Sequence, residues 1–320
     1  MSNPPPLKKQ ELIVPDYVSQ HVISEILLRL PVNSLLQYKS VSKSWYSLIS
    51  SPSFIKSQLA VAATRANQNL IVYTSDYENE DDSSISLVNL HSCQVVAQFD
   101  YMPVHRIIGS ANGIVCVDSI NTYLWNPATK QYKIIHPHTL PDDHDTDWSP
   151  GDAIGFGFDP IHDDLKLVAY AESPSRDYPS IALYSVNRNV WRKVRPKPNE
   201  FPYYRNFDVC INGFLLSVGL SGMMAFDLTN EVLNCAINLP VATFRFTVVD
   251  FKMYNAHAHI TEFNASIAVI ISKRLTEPPV VNLWALDDEA CLRGGGIEAS
   301  WTLMLNINID VRLSAQDSNK

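Results

Sequence analysis

The chain has 320 residues, enough for one large domain with a small one beside it or for two of ordinary size. With 46% hydrophobic and 18% charged residues it is composed like neither a disordered chain nor a membrane protein, and a net charge of −8 leaves no basic surplus for a nucleic-acid partner. No apolar run reaches the ~18 residues that spanning a bilayer needs, and no hydrophobic core follows Lys8 and Lys9 as in a secretory signal.

Residues 1–14 are proline-rich and polar and read as a flexible lead-in. Beyond them Val22, Ile23, Ile26, Leu27 and Leu30 fall at the i, i+3, i+4, i+7 spacing of a helical face. Pro31 ends that helix, because proline lacks the amide donor and drives the preceding residue out of the helical region. Leu35, Leu36 and Tyr38 restart the pattern, and Val41, Trp45, Leu48 and Ile49 carry it to a second stop at Ser51-Pro52. Three short helices within residues 15–60 must pack on each other. From Phe54 to Arg65 no breaker occurs, which predicts a helix leading into a linker over 61–68. A unit of about forty residues buries too little surface to stand alone and calls for a partner or a neighbouring domain.

From Asn69 the pattern changes to short apolar or alternating runs separated by turn residues: Leu70–Thr74, Ile85–Leu90, Val95–Phe99, Gly113–Val117, and so on to Trp301–Leu305. Many short strands at such spacing predict an all-β domain, here residues 69–309. Four segments share one shape and align on Trp125, Tyr184, Phe226 and Trp284, at intervals of 59, 42 and 58 residues. The mean is near the ~50 of kelch-type blades. Asn112-Gly113 and Asn212-Gly213 are the pairs that tight type I′ hairpins favour, and Asp159 to Asp164 makes the corresponding connection in the blade between them. Two hairpins per repeat make four strands, the blade of a β-propeller. Counting from Asn69 gives one partial and four full blades. The last residues, 310–320, are polar and read as a disordered tail.

Two stretches resemble a known family. Glu25-Ile-Leu-Leu-Arg-Leu-Pro-Val32, Ser34-Leu-Leu36, Val41-Ser-Lys-Ser-Trp45 and Leu48-Ile-Ser-Ser-Pro-Ser-Phe54 resemble the F-box of the large plant F-box family, although Val18-Ser19 stands where that family usually has Leu-Pro. Gly109 to Cys116 with Leu124 to Thr129, and Gly155-Phe-Gly-Phe-Asp-Pro160 with Asp163 to Val168, resemble the F-box-associated, kelch-like propeller domain of the same family. Members of that family normally run on past the Ser300-Trp301-Thr302 segment, so the propeller is expected to be short of strands at its C-terminal side. The fold class is thus an α+β multidomain chain, a three-helix F-box followed by an all-β propeller. The resemblance implies that Val18, Val22, Ile26, Leu27, Leu30, Pro31, Leu35, Val41 and Trp45 face or support a Skp-family adaptor, which links to a cullin in a ubiquitin ligase. The propeller would then hold a protein substrate of unknown identity. No cofactor is implied.

Candidates for other chemistry are few. Asp142-Asp-His-Asp-Thr-Asp147 concentrates carboxylates but lacks the glycine of a calcium loop, and reads as an acidic solvated connection. His136 with His138, and His257 with His259, are i, i+2 pairs that on a strand share a face. They support the competing reading, a metal-binding propeller oxidoreductase resembling galactose oxidase. A third reading is an adaptor-bound protein with no role in degradation. Five cysteines, scattered and odd in number, argue against a disulfide framework or zinc site and fit the cytosol or nucleus. Trp125, Trp191, Trp284 and Trp301 are expected at comparable blade positions as core. The loop Phe201-Pro-Tyr-Tyr-Arg205 joins aromatic rings to an arginine, as protein-recognition surfaces do, so Phe201, Tyr203, Tyr204 and Arg205 are the expected target contacts.

Overall fold

The computed structural model describes residues 18–63, 69–74, 84–89, 91–99, 104–136, 149–172, 180–194, 206–218, 222–240, 256–273, 280–293 and 297–308. They form two compact units, one that holds all the helices ahead of the strands and one that holds nearly all of the strands.

The helical unit contains four helices: α1 (Gln20–Leu28), α2 (Val32–Tyr38), α3 (Lys43–Ser50) and α4 (Pro52–Ala63). The Ser19 hydroxyl accepts the Val22 amide at 3.3 Å and caps α1, and Ser42 caps α3 through the Trp45 amide at 3.2 Å. The expected three helices are therefore joined by a fourth that starts two residues before Phe54. Pro52 does not delay it, because the first helical position needs no amide donor, and Ser51 accepts the Phe54 amide at 3.3 Å. Leu27, Leu35, Ile49 and Phe54 form a small buried core, flanked by Leu28, Leu30, Trp45 and Leu48. Trp45 stands edge-on to Tyr38, the ring centres 5.6 Å apart.

The strand unit is a series of antiparallel sheets, each built from consecutive strands. The first has three strands, β1 (Asn69–Thr74), β2 (Ser84–Asn89) and β3 (Val95–Phe99). Four more, each of four strands, follow among the described residues. They are β4 (Arg106–Ala111) to β7 (Gln131–Ile135), with β5 (Ile114–Asp118) and β6 (Thr122–Asn126); then β8 (Ser149–Asp159), β9 (Asp164–Glu172), β10 (Ser180–Ser185) and β11 (Val190–Val194). The fourth sheet holds β12 (Val209–Ile211), β13 (Phe214–Val218), β14 (Met223–Asp227) and β15 (Val232–Ile237); the fifth holds β16 (Ala256–Phe263), β17 (Ser266–Lys273), β18 (Val280–Leu286) and β19 (Trp301–Asn308). The first strands of the four-stranded sheets pack on one another, and β12 touches β4, β8 and β16, as strands converging on one axis do. These are the blades of a five-bladed β-propeller.

Strand alternation makes the core. In β5, Val115 and Val117 pack toward the first blade while Cys116 packs toward the third; in β6, Tyr123 and Trp125 face one way and Leu124 the other. The third blade repeats this, with Ile181 and Leu183 against the fourth blade and Ala182 and Tyr184 against the second. Both faces of a middle strand are thus buried, which is why these strands read as nearly continuous apolar runs.

The axis requires glycine. A Cβ on Gly155 would come within 2.8 Å of Phe207, and one on Gly157 within 2.9 Å of Leu228 in the next blade, while Phe156 between them points back toward the second blade. The alternation in Gly155-Phe-Gly-Phe158 therefore puts a bare backbone on the side of the fourth blade and a ring on the other.

Turn chemistry follows the repeat. Asn112-Gly113 and Asn212-Gly213 both have positive φ at each position, as type I′ turns demand. Asn264-Ala265 makes the same turn at φ 52 and 59° with no glycine to announce it. The four-residue turns after β2, β6, β8, β10 and β14 end in a left-handed residue, Cys93, Lys130, Asp163, Asn189 and Glu231 respectively. In four of them an Asn or Asp side chain caps the turn: Asn89, Asn126, Asp159 and Asp227 each accept two backbone amides.

Candidate functional site

Helix geometry separates the residues expected on the adaptor side. Leu27 and Leu35 are 1% and 4% exposed, so they belong to the core of the helical unit and offer no contact surface. Leu30 and Trp45 are half-buried against that core. Val18, Val22 and Ile26 are 58%, 45% and 52% exposed at four-residue spacing, which lines them along one side of α1 and the turn before it. Pro31 is exposed at the start of α2, and Val41, 60% exposed, sits between α2 and α3. The unit also exposes Leu36, Tyr38, Tyr46 and Ile55, which the sequence reading did not assign. The signal available was excess: α1 has more apolar residues than one buried stripe can use. A unit this small with so many exposed large apolar side chains has the surface of a binding module.

The two ends of the propeller differ. The short turns described above all leave from one end, and polar contacts tie them together across blades. Lys133 Nζ donates to Asn189 Oδ1 at 2.7 Å, joining the second blade to the third, and Asn212 Nδ2 donates to Glu289 Oε1 at 2.7 Å and to Ala265 O at 3.2 Å, joining the fourth to the fifth. Between the third and fourth lies a buried charged joint. Lys166 Nζ donates to Asp159 Oδ2 at 2.7 Å and to Leu228 O at 2.6 Å; Thr229 Oγ1 donates to Asp159 Oδ1 at 2.7 Å; Glu231 pairs with Arg192 and lies 3.7 Å from Lys166.

At the opposite end lie the connections from blade to blade, and three of them are long: residues 136–148 between β7 and β8, 195–208 between β11 and β12, and 238–255 between β15 and β16. Phe201, Tyr203, Tyr204 and Arg205 belong to the second of these and lie outside the described residues; so do the acidic run 142–147, in the first, and residues 294–296, between β18 and β19. A rigid scaffold that carries long connections is how binding surfaces are commonly built.

The tryptophans occupy two positions rather than one. Trp125 and Trp284 are on third strands, with the aligned Tyr184 and Phe226, whereas Trp191 and Trp301 are on fourth strands. The fourth-strand pair has a specific task. Trp191 Nε1 donates to His136 O at 3.0 Å and Trp301 Nε1 to Asn238 O at 2.9 Å, in each case the residue just past the fourth strand of the preceding blade. These indoles stitch neighbouring blades at the rim.

The histidine pairs do not share a place in the fold: His136 follows the outermost strand of the second blade, and His259 lies exposed on the first strand of the fifth. His138 lies outside the described residues. Among the described residues no three His, Cys, Asp or Glu side chains gather as a metal would need. All five cysteines are free thiols. Burial pushes the Cys116, Cys210 and Cys291 thiols up from their ordinary value, which keeps them protonated and poor nucleophiles.

Comparison with known proteins assigns both units. Residues 18–57 match the F-box domain and residues 58–291 match the F-box associated beta propeller domain. The chain is 27% identical to F-box protein At1g30790 of Arabidopsis thaliana, over 88% of this chain and 74% of that one. It is 23% identical to the putative F-box protein At3g10240 of the same plant, over 83% and 67%. With F-box/kelch-repeat protein At3g23880, also from Arabidopsis thaliana, it shares 29% identity over 59% of this chain and 55% of that protein.

Proposed function

The chain belongs to the family of F-box-associated β-propeller proteins and carries an F-box ahead of the propeller, and from that premise we propose that it is the substrate receptor of a cullin-based ubiquitin ligase. In this reading the F-box docks on a Skp-family adaptor, the adaptor links to a cullin, and the propeller holds a target protein. The chain itself makes and breaks no bond. It acts by proximity, keeping a target lysine at high effective concentration beside the charged conjugating enzyme. The cytosol or nucleus is the setting that five free thiols fit.

The observation that carries the proposal is the exposed row Val18, Val22 and Ile26 on a helical unit whose core is filled by other residues, Leu27, Leu35, Ile49 and Phe54. An apolar row that the fold does not use internally is what a partner would cover. The test replaces Val22 and Ile26 by Asp. Exposed positions tolerate such changes within about 0.5 kcal/mol, so helix content measured by circular dichroism is expected to hold while capture by a purified Skp-family adaptor is lost. Capture at the wild-type level by the folded double variant would overturn the proposal.

A further inference from the structure

On the propeller axis, between β4, β8 and β12, lies a cavity of about 160 Å³. Small-molecule and cofactor sites usually run to about 300–1,000 Å³, and an apolar cavity of about 150 Å³ holds one benzene. The space therefore fits one side chain. Its walls are apolar, from Ile107, Phe156, Phe207 and Val209, with two polar exceptions, Ser110 and Asp208. Both are exposed, so the cavity opens to solvent.

Asp208 immediately precedes β12, at the end of the propeller that carries the connections from blade to blade. Its Oδ2 accepts the Val218 amide at 3.2 Å, which fixes the carboxylate without neutralising it. Asp152, near the start of β8, is a second exposed carboxylate at that end. Arg106, a cation at that end, is already matched: its Nε donates to Asp118 at 3.0 Å and its Nη2 to Ala153 O at 2.7 Å. An apolar cavity with a carboxylate in its wall that no cation among the described residues neutralises suits an aliphatic stem that ends in a positive charge.

We infer that the axial cavity receives one lysine or arginine side chain of the bound target, with its stem between Ile107 and Val209 and its cation at Asp208. This deepens the substrate-receptor reading and rests on it. It names a chemical class of target, a segment presenting a basic residue, to which a protein of net charge −8 is also attracted at long range.

The test uses the full chain and an array of ten-residue peptides on a constant alanine-serine background, with Lys, Arg, Leu or Glu at the centre. Lys and Arg peptides are expected to retain the protein about tenfold better than Leu or Glu peptides, the scale of one hydrogen bond to a charged group. That preference is expected to vanish in Asp208→Asn, and retention to fall in Ser110→Phe, which fills the cavity from an exposed position. Equal retention of the four peptide sets, no retention of any, or an undiminished Lys and Arg preference in Asp208→Asn would each overturn the inference. Adaptor capture, which involves only the helical unit, is read in parallel, so failure of the cavity and failure of the receptor reading remain distinct.

Discussion

Lys166 decides whether the joint between the third and fourth blades is held by charge as well as by packing. Its ammonium is buried, with Asp159 Oδ2 and Leu228 O as acceptors at 2.7 and 2.6 Å. Lys166→Met keeps an apolar stem of similar length and leaves the Asp159 carboxylate without its cation. Removing one partner of a buried ion pair costs about 3–5 kcal/mol. At roughly 2–4 °C per kcal/mol for a unit of this size, Tm at pH 7 is expected to fall by about 6–20 °C. The pH dependence provides the control. Burial pushes the Asp159 carboxyl up, but hydrogen bonds from Lys166, Thr229 and His162 outweigh it and hold the group well below the usual carboxylate range. A carboxyl depressed in the folded state stabilises the fold above its unfolded value, ~3.9, and that stability is lost only as pH falls through the lower folded value. The wild-type joint thus stays intact at about pH 4. In the variant the carboxyl has lost its chief donor, its value rises, and protonation relieves the stranded charge. The Tm deficit should therefore narrow between pH 7 and about pH 4. Thermal unfolding of the full chain, followed by circular dichroism at both values, checks this. A deficit under about 3 °C at pH 7, or one equally large at both values, would refute the reasoning.

Two further outcomes follow from the geometry. Gly157→Ala drives a methyl into Cys210 and Leu228 and is expected to destabilise the strand unit by about 1–3 kcal/mol; a Tm unchanged from wild type would mean that the axis is looser than its contacts indicate. Trp191→Phe keeps most of the buried ring but removes the indole donor to His136 O, so a loss of about 1 kcal/mol beyond that of a ring trimmed elsewhere in the same core is expected in denaturant titration.

Much of this architecture was legible because the repeat writes itself in residue types that backbone geometry requires. Asn112-Gly113 and Asn212-Gly213 announced their turns since two successive positive φ angles leave few other choices. The aligned Trp125, Tyr184, Phe226 and Trp284 all fall on third strands, and in the second, third and fourth blades, where that strand is buried on both faces, the ring is sealed, whereas Trp284 in the fifth is only partly buried. Asn264-Ala265 gave no warning, as alanine carries no turn signature. Lys166 gave a misleading one: in Asp164-Leu-Lys-Leu-Val168 a lysine between leucines reads as a solvent-facing residue. Only the third dimension shows the Leu228 carbonyl and Asp159 carboxylate that make its burial tolerable. The rim indole bonds escaped for the same reason, since each acceptor is a backbone carbonyl more than fifty positions away.

The helical unit shows the limit of periodicity most plainly. Ile26 and Leu27 are adjacent, equally apolar and both compatible with the stripe that marks α1, yet one is half exposed and the other sealed. A hundred degrees of helix rotation separates them, and no pattern of apolar letters says which side meets Leu35 and Phe54 and which is left over. Spacing identifies a helix with too many apolar residues, and packing then assigns the surplus. The same logic governs the propeller, where alternation in β5 and β6 divides residues between two neighbouring blades rather than between core and solvent. In both units a candidate surface is reached by subtraction. Once the residues that satisfy the fold are accounted for, an apolar row on α1 and an apolar cavity with a carboxylate in its wall are among what is left over.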